Sequence, residues 1–173
     1  MCGDGIGGFY YSTVNICQFA FIIHADYLEN PNQRDYDVLM ACLDQLEHTK
    51  YEDEDIVKWV ISKKCDRYDI SAPWSSAMDS GEALSFYLRM YQLTKNKRLL
   101  KTANKIYNYL NIDVKDGGVR RIDDNGFVWL EEYPSDPPSF VLNGFIFCIF
   151  GLYDLYRVTK NQKVKKDIDL YVH

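Results

Sequence analysis

Apolar positions recur at helical spacing in six stretches of the chain, and polar breaks group them into three pairs. Thr13 to Leu28 is apolar nearly all round, through Val14, Ile16, Cys17, Phe19, Ala20, Ile22 and Ile23, with Ser12 and Thr13 placed to cap it. Such a pattern predicts a helix buried on most faces. Arg34 to His48 instead sets Val38, Leu39, Cys42, Leu43 and Leu46 among polar residues, which predicts a one-faced outer helix. Ser76 to Leu93 and Ser139 to Val158 repeat the buried character. Arg98 to Leu110 and Val164 to Tyr171 repeat the amphipathic one.

The turns repeat as well. "YLENPNQ", "QLTKNKR" and "RVTKNQK" align so that Asn30, Asn96 and Asn161 fall 66 and 65 residues apart. Each unit is an inner helix, a polar turn and an outer helix. The fold class is therefore mainly α: a partial α/α toroid of helical hairpins with a small β-hairpin. The hairpin comes from "GGVRRIDDNGFVWLEEY", where Val119, Ile122, Phe127 and Trp129 flank the turn signal "DDNG"; it is expected near residues 118 to 130. Three pairs fall short of a closed ring. The chain thus reads as one domain, residues 1–173, that is a fragment of its toroid. An open C-terminal edge with apolar surface predicts self-association, as in a homo-oligomer, or poor solubility of the chain alone.

Composition narrows the classes. A 47% hydrophobic content argues against disorder, and a net charge of -5 without a basic run advertises no nucleic-acid partner. No apolar run reaches the roughly 18 residues of a membrane span. The start "MCGDGIGG" is not a signal peptide. Cysteines at 2, 17, 42, 65 and 148 form no CxxC pair, and with three histidines there is no zinc spacing. Single buried thiols lean toward a reducing, cytoplasmic compartment. An aromatic content of 15%, with fourteen tyrosines, suits both core packing and stacking on sugars.

In an alternating array the inner helices run the same way, so their N-termini gather on one rim. The segments entering them are "GGFYYST", "YDISAPWSS" and "EEYPSDPPS". One rim pocket would collect Tyr10, Tyr11, Trp74, Glu131, Glu132 and Tyr133. Helix N-termini attract anions, so phenols, carboxylates and N-termini together suit an acidic sugar. Adjacent strand residues face opposite ways, so only one of Glu131 and Glu132 can point inward. Arg120 or Arg121 could grip a substrate carboxylate in a fork, and the alternative for both is a solvated strand end. Asn143 falls mid-helix between apolar neighbours, where an unpaired amide is costly to bury.

The segments "SAPWSSAMDSGEALSFYLRMYQLT", "GGVRR" and "WLEEYPSDPPSFVLNGFIFCIFGLYDLYRVT" resemble the C-terminal domain of the D-glucuronyl C5-epimerase family, and "GFYYSTVNICQFAF" resembles the segment before it in short microbial members. The resemblance implies an α/α toroid that inverts C5 of glucuronic acid in a glycosaminoglycan-like polysaccharide, with no cofactor and no metal. It implies Glu132 as the catalytic glutamate, Tyr133 beside it, Asn143 as a substrate contact and Tyr11 as a further catalytic tyrosine. The chain departs from the family where "SAMDSGEA" places Asp79, Ser80 and Glu82 at the opening of an inner helix. Two other readings stay open: an inactive glycan-binding or scaffolding module, and a lyase that shares the proton abstraction and then eliminates at C4.

Overall fold

The computed structural model describes residues 12–172, together with the backbone of residues 2–3 and 9–10. It comprises two compact units, Met1–Thr49 and Lys50–His173. In the first, strands β1 (Cys2–Gly3) and β2 (Phe9–Tyr10) pair antiparallel and precede helices α1 (Thr13–Glu29) and α2 (Gln33–Thr49). Ser12 caps α1, its Oγ accepting the Asn15 N–H at 3.4 Å. The buried stripe of α1 is Thr13, Cys17, Ala20 and His24, while Phe19, Ile22 and Leu28 stay exposed. The expectation of a helix buried on most faces is thus corrected. Apolar side chains record what a face can bury, and in this unit α2 covers one face. The cap of α2 is Asn32, whose Oδ1 accepts the Asp35 N–H at 2.9 Å, two residues on from the Asn30 of the repeat alignment.

In the second unit, strands β3 (Lys50–Glu52) and β4 (Val57–Trp59) form a hairpin. A long connection follows, held by bridges Ile61–Trp74 and Cys65–Ile70 around a single 3-10 turn, Asp66–Tyr68. Helix α3 (Ala77–Thr94) comes next and is buried without interruption from Ala77 to Leu88. Helix α4 (Lys97–Leu110) packs back through one face, Leu99, Thr102, Ala103 and Ile106. Strands β5 (Arg120–Ile122) and β6 (Val128–Leu130) pair antiparallel where the sequence predicts a hairpin. Asp123 Oδ1 accepts the Asn125 and Phe127 N–H groups, and Gly126 takes φ +87°. Helices α5 (Leu142–Thr159) and α6 (Gln162–Val172) complete the unit.

Two hairpins close with one device. Lys95 and Lys160 end α3 and α5 in the left-handed region, at φ 57° and 56°. Asn96 Oδ1 then accepts the Arg98 N–H at 3.0 Å, and Asn161 Oδ1 the Lys163 N–H at 2.9 Å. Thr94 and Thr159 hydroxyls accept the Asn96 and Asn161 N–H groups, both at 3.2 Å. The repeat seen in "LTKNK" and "VTKNQ" is therefore a repeat of hydrogen bonds.

Helices α3 and α5 meet at glycines. A Cβ on Gly81 would lie 2.6 Å from the Cys148 Cα, and one on Gly151 would run into the Gly81 carbonyl. Further along, Ser85 donates to Asp154, and Arg89 lies 3.5 Å from the same carboxylate. Contact positions rise together on both helices, so they run parallel, with their N-termini on one side. The opposite flank of α5 leaves Leu142, Ile146, Phe150 and Tyr153 exposed, which corrects the expectation of a helix buried in character. Among the described residues, no helix is long and apolar enough to cross a membrane.

Candidate functional site

The segment joining β6 to α5 holds the candidate residues Glu131, Glu132 and Tyr133, and one carboxylate holds it in shape. Glu131 is 1% exposed. Its Oε1 accepts the Arg121 Nε–H at 3.0 Å; its Oε2 accepts the Phe140 N–H at 3.1 Å and lies 2.9 Å from the Ser139 hydroxyl. Arg121 Nη2 also donates to the Ser135 carbonyl at 2.7 Å. The loop is thus tied to β5, and Phe140 is held at φ +45°, a region L-residues seldom adopt. The Glu131 carbonyl accepts the Ala77 N–H at 3.1 Å, joining the loop to the start of α3.

Glu132 turns the other way. Strand β6 ends at Leu130, so the two glutamates are loop residues and their divergence is not a strand pleat. Glu132 packs on the first turn of α5, where a Cβ on Gly144 would come 2.5 Å from its Oε2 and 2.5 Å from its Cβ. Oε2 is buried and makes no full hydrogen bond. Burial raises the Glu132 pKa above the ordinary carboxylate value; a hydrogen bond from Tyr133 and the Gly144 N–H draw it partway back. The Tyr133 hydroxyl is pushed well up, by burial first and by Glu132 next. Behind Glu132, the thiol of fully buried Cys148 is raised by burial, with Glu132 and Glu82 adding to it. A carboxyl held above its usual pKa beside a phenol can take a proton from carbon and pass one on.

Aromatic rings wall the site. Tyr133 stacks on Tyr68 at 4.3 Å and 27°, and Trp74 stands 5.7 Å from it. Trp74 is fixed by its Nε1–H donating to the Lys63 carbonyl at 2.8 Å.

Of the residues singled out from sequence, Trp74, Glu132 and Tyr133 come together, whereas Glu131, expected in the same pocket, is turned inward onto Arg121, Ser139 and Phe140 and does not face it. Tyr11 and the side chain of Tyr10 lie outside the described residues. Arg121 is committed to Glu131 and Ser135, and Arg120 to Asp113 at 2.7 Å, so neither is a free fork for a substrate carboxylate. Asn143 is exposed in the first turn of α5, not buried mid-helix, because the helix begins at Leu142 rather than Ser139. Asp79, Ser80 and Glu82 are buried on α3. Sequence reasoning missed Tyr68 and Gly144. Tyr68 opens the same "YDISAPW" stretch as Trp74, and Gly144 follows the asparagine already noted. Among the described residues, no group of three His, Cys, Asp or Glu side chains could hold a metal ion.

The sequence pattern of the D-glucuronyl C5-epimerase C-terminus family matches residues 52–170. The chain is similar to the D-glucuronyl C5-epimerase of Caenorhabditis elegans, 33% identical over 137 residues, covering 65% of this chain and 22% of that protein. It is also similar to an uncharacterized protein of Methanocaldococcus jannaschii, 29% identical over 108 residues, covering 61% of this chain and 35% of that one. This chain therefore spans well under half the length of these relatives. Among solved structures, a family 76 glycoside hydrolase from a bovine Bacteroides thetaiotaomicron strain superposes with TM-score 0.59 at 17% identity, over 91% of this chain and 33% of that one. A family 76 mannosidase of Bacteroides thetaiotaomicron gives 0.61 at 16%, over 93% and 43%. At such identities the likeness shows a shared helical fold.

Proposed function

Since the chain belongs to the D-glucuronyl C5-epimerase C-terminus family, we propose that it serves the inversion of C5 in glucuronic acid units of an acidic polysaccharide, with Glu132 as the base. A carbohydrate-acting domain is the coarse assignment, and the finer one rests chiefly on the state of Glu132: a carboxylate half-withdrawn from water, with one buried oxygen left open beside a phenol.

The C5 hydrogen lies alpha to the sugar's carboxylate. Glu132 takes that proton, and the C–H electron pair moves into an enediolate over C5, C6 and the carboxylate oxygens. A proton drawn from solvent and delivered to the opposite face of C5 completes inversion, and return of the proton from Glu132 on its own face gives back the starting sugar. Tyr133, hydrogen-bonded to Glu132, orients the carboxylate and carries its proton to and from solvent. The rings of Tyr133 and Trp74 offer faces for the sugar, with Tyr68 backing Tyr133.

The test is proton NMR in D₂O of a non-sulfated glucuronic-acid polymer with the full-length protein. Deuterium should enter at C5 with the parent and fall roughly 10²- to 10⁴-fold with Glu132→Gln, while polymer binding persists. Exchange at the parent rate in that variant would place the base elsewhere. An unsaturated sugar product would convert the reading to a lyase. Binding without exchange by the parent would leave a glycan-binding module.

A further inference from the structure

Arg120 and Arg121 are spent inside the fold, so an acidic polymer must find its positive charge elsewhere. The 3-10 turn Asp66–Tyr68 carries an exposed arginine beside the aromatic wall. Arg67 is exposed, and its guanidinium lies over the Tyr68 ring at 5.4 Å. Tyr68 in turn stacks at 4.3 Å on Tyr133, the partner of Glu132. Two ring-steps therefore join an exposed cation to the candidate base. Arg67 has no ion-pair partner among the described residues. Its neighbour Lys64 is held by Asp69 at 2.8 Å and by Asp66 at 3.5 Å.

We propose that Arg67, carried on the Tyr68 ring, is the subsite cation for the carboxylate of an acidic sugar flanking the one over Glu132. This rests on the uronic-acid reading above and adds to it a second point of recognition along the polymer. A guanidinium lying over a ring keeps its fork oriented while its N–H groups stay open to a carboxylate. The turn that carries it is pinned at Cys65 and Ile70, whose backbones exchange hydrogen bonds at 2.9 and 3.1 Å. An arginine acting one sugar away from the reacting carbon should govern capture of the chain and leave the chemical step alone.

The experiment compares parent, Arg67→Ala and Arg67→Lys in the full-length protein. KM, kcat and binding are measured on a glucuronic-acid polymer, and binding again on the same polymer with its carboxyls reduced to alcohols. Arg67→Ala should raise KM and weaken binding about 10-fold, in the range for a charged hydrogen bond, with kcat within twofold. Arg67→Lys should recover part of the loss. On the reduced polymer, parent and Arg67→Ala should bind alike. Unchanged KM in Arg67→Ala, with the parent active, would remove the subsite and leave the assignment of Glu132 intact. An equal loss on the reduced polymer would assign Arg67 to stacking rather than charge. A parent that neither binds nor turns over the uronic-acid polymer would overturn both readings.

Discussion

Glu132 and Gly144 interlock: the carboxylate fills the space a side chain at Gly144 would need, with 2.5 Å left between Oε2 and a Cβ built there. Gly144→Ala should therefore displace the candidate base itself. Overpacking of this kind costs about 1–3 kcal/mol. C5 exchange should fall much further than stability does. Kinetics and a urea melt on the same variant check it, and wild-type exchange with the alanine present would contradict the observed packing.

Glu131 should behave as a structural brace. Glu131→Gln replaces a buried anion facing Arg121 and leaves the guanidinium under-compensated. The expected loss is about 3 kcal/mol of stability, the scale for breaking a buried pair. Residual activity at low temperature should survive in proportion to folded protein. A fully stable but inert Glu131→Gln would exchange the roles assigned to the two glutamates.

The raised pKa of Glu132 has a sign in stability. The native state holds its proton more tightly than the unfolded chain does, so its stabilising effect is complete below the ordinary glutamate pKa. That contribution is lost as pH rises through the native value. Glu132→Gln should thus gain stability over the parent at neutral pH, and the gain should shrink toward pH 4. Melts across that range measure it; a gain independent of pH would refute the desolvated carboxylate.

Tyr133→Phe keeps the rings on Tyr68 and Trp74 but removes the hydrogen bond that lowers the Glu132 pKa. The acid limb of kcat/KM should move to higher pH, with KM nearly unchanged. An unshifted limb would show that the hydroxyl does not act through Glu132.

How far the sequence reached depended on the range of the forces involved. Ser12, Asn96 and Asn161 act within three residues, and the helix starts they cap were legible. The start of α5 was not: Ser139 is engaged by Glu131, and Phe140 takes a positive φ no helix residue adopts. The bonds responsible cross from Arg121 and Glu131, beyond any local pattern. Strand β3 is three residues long with no alternation to betray it. Glu131 and Glu132 look alike as letters, and only the contact with β5 tells the brace from the candidate base. The exposed stripe on α5 follows the same logic, since apolarity states what a face could bury and not what covers it.

The paired Thr–Lys–Asn turns and the glycine seam bear on the order of folding. Each turn closes over a handful of residues, so its loop-closure entropy is small, whereas Gly81 and Gly151 must meet across a long stretch of chain. The two hairpins should form first and independently, and the parallel docking of α3 on α5 should be the late, slow event. Pulse-labelled hydrogen exchange should protect the amides of Arg98 and Lys163 before those of β5, β6 and the Glu131 loop. Simultaneous protection would mean a single nucleus. With the predicted order, the Glu132 site would not exist until the last step, when the seam closes and the loop is clamped between two preformed hairpins.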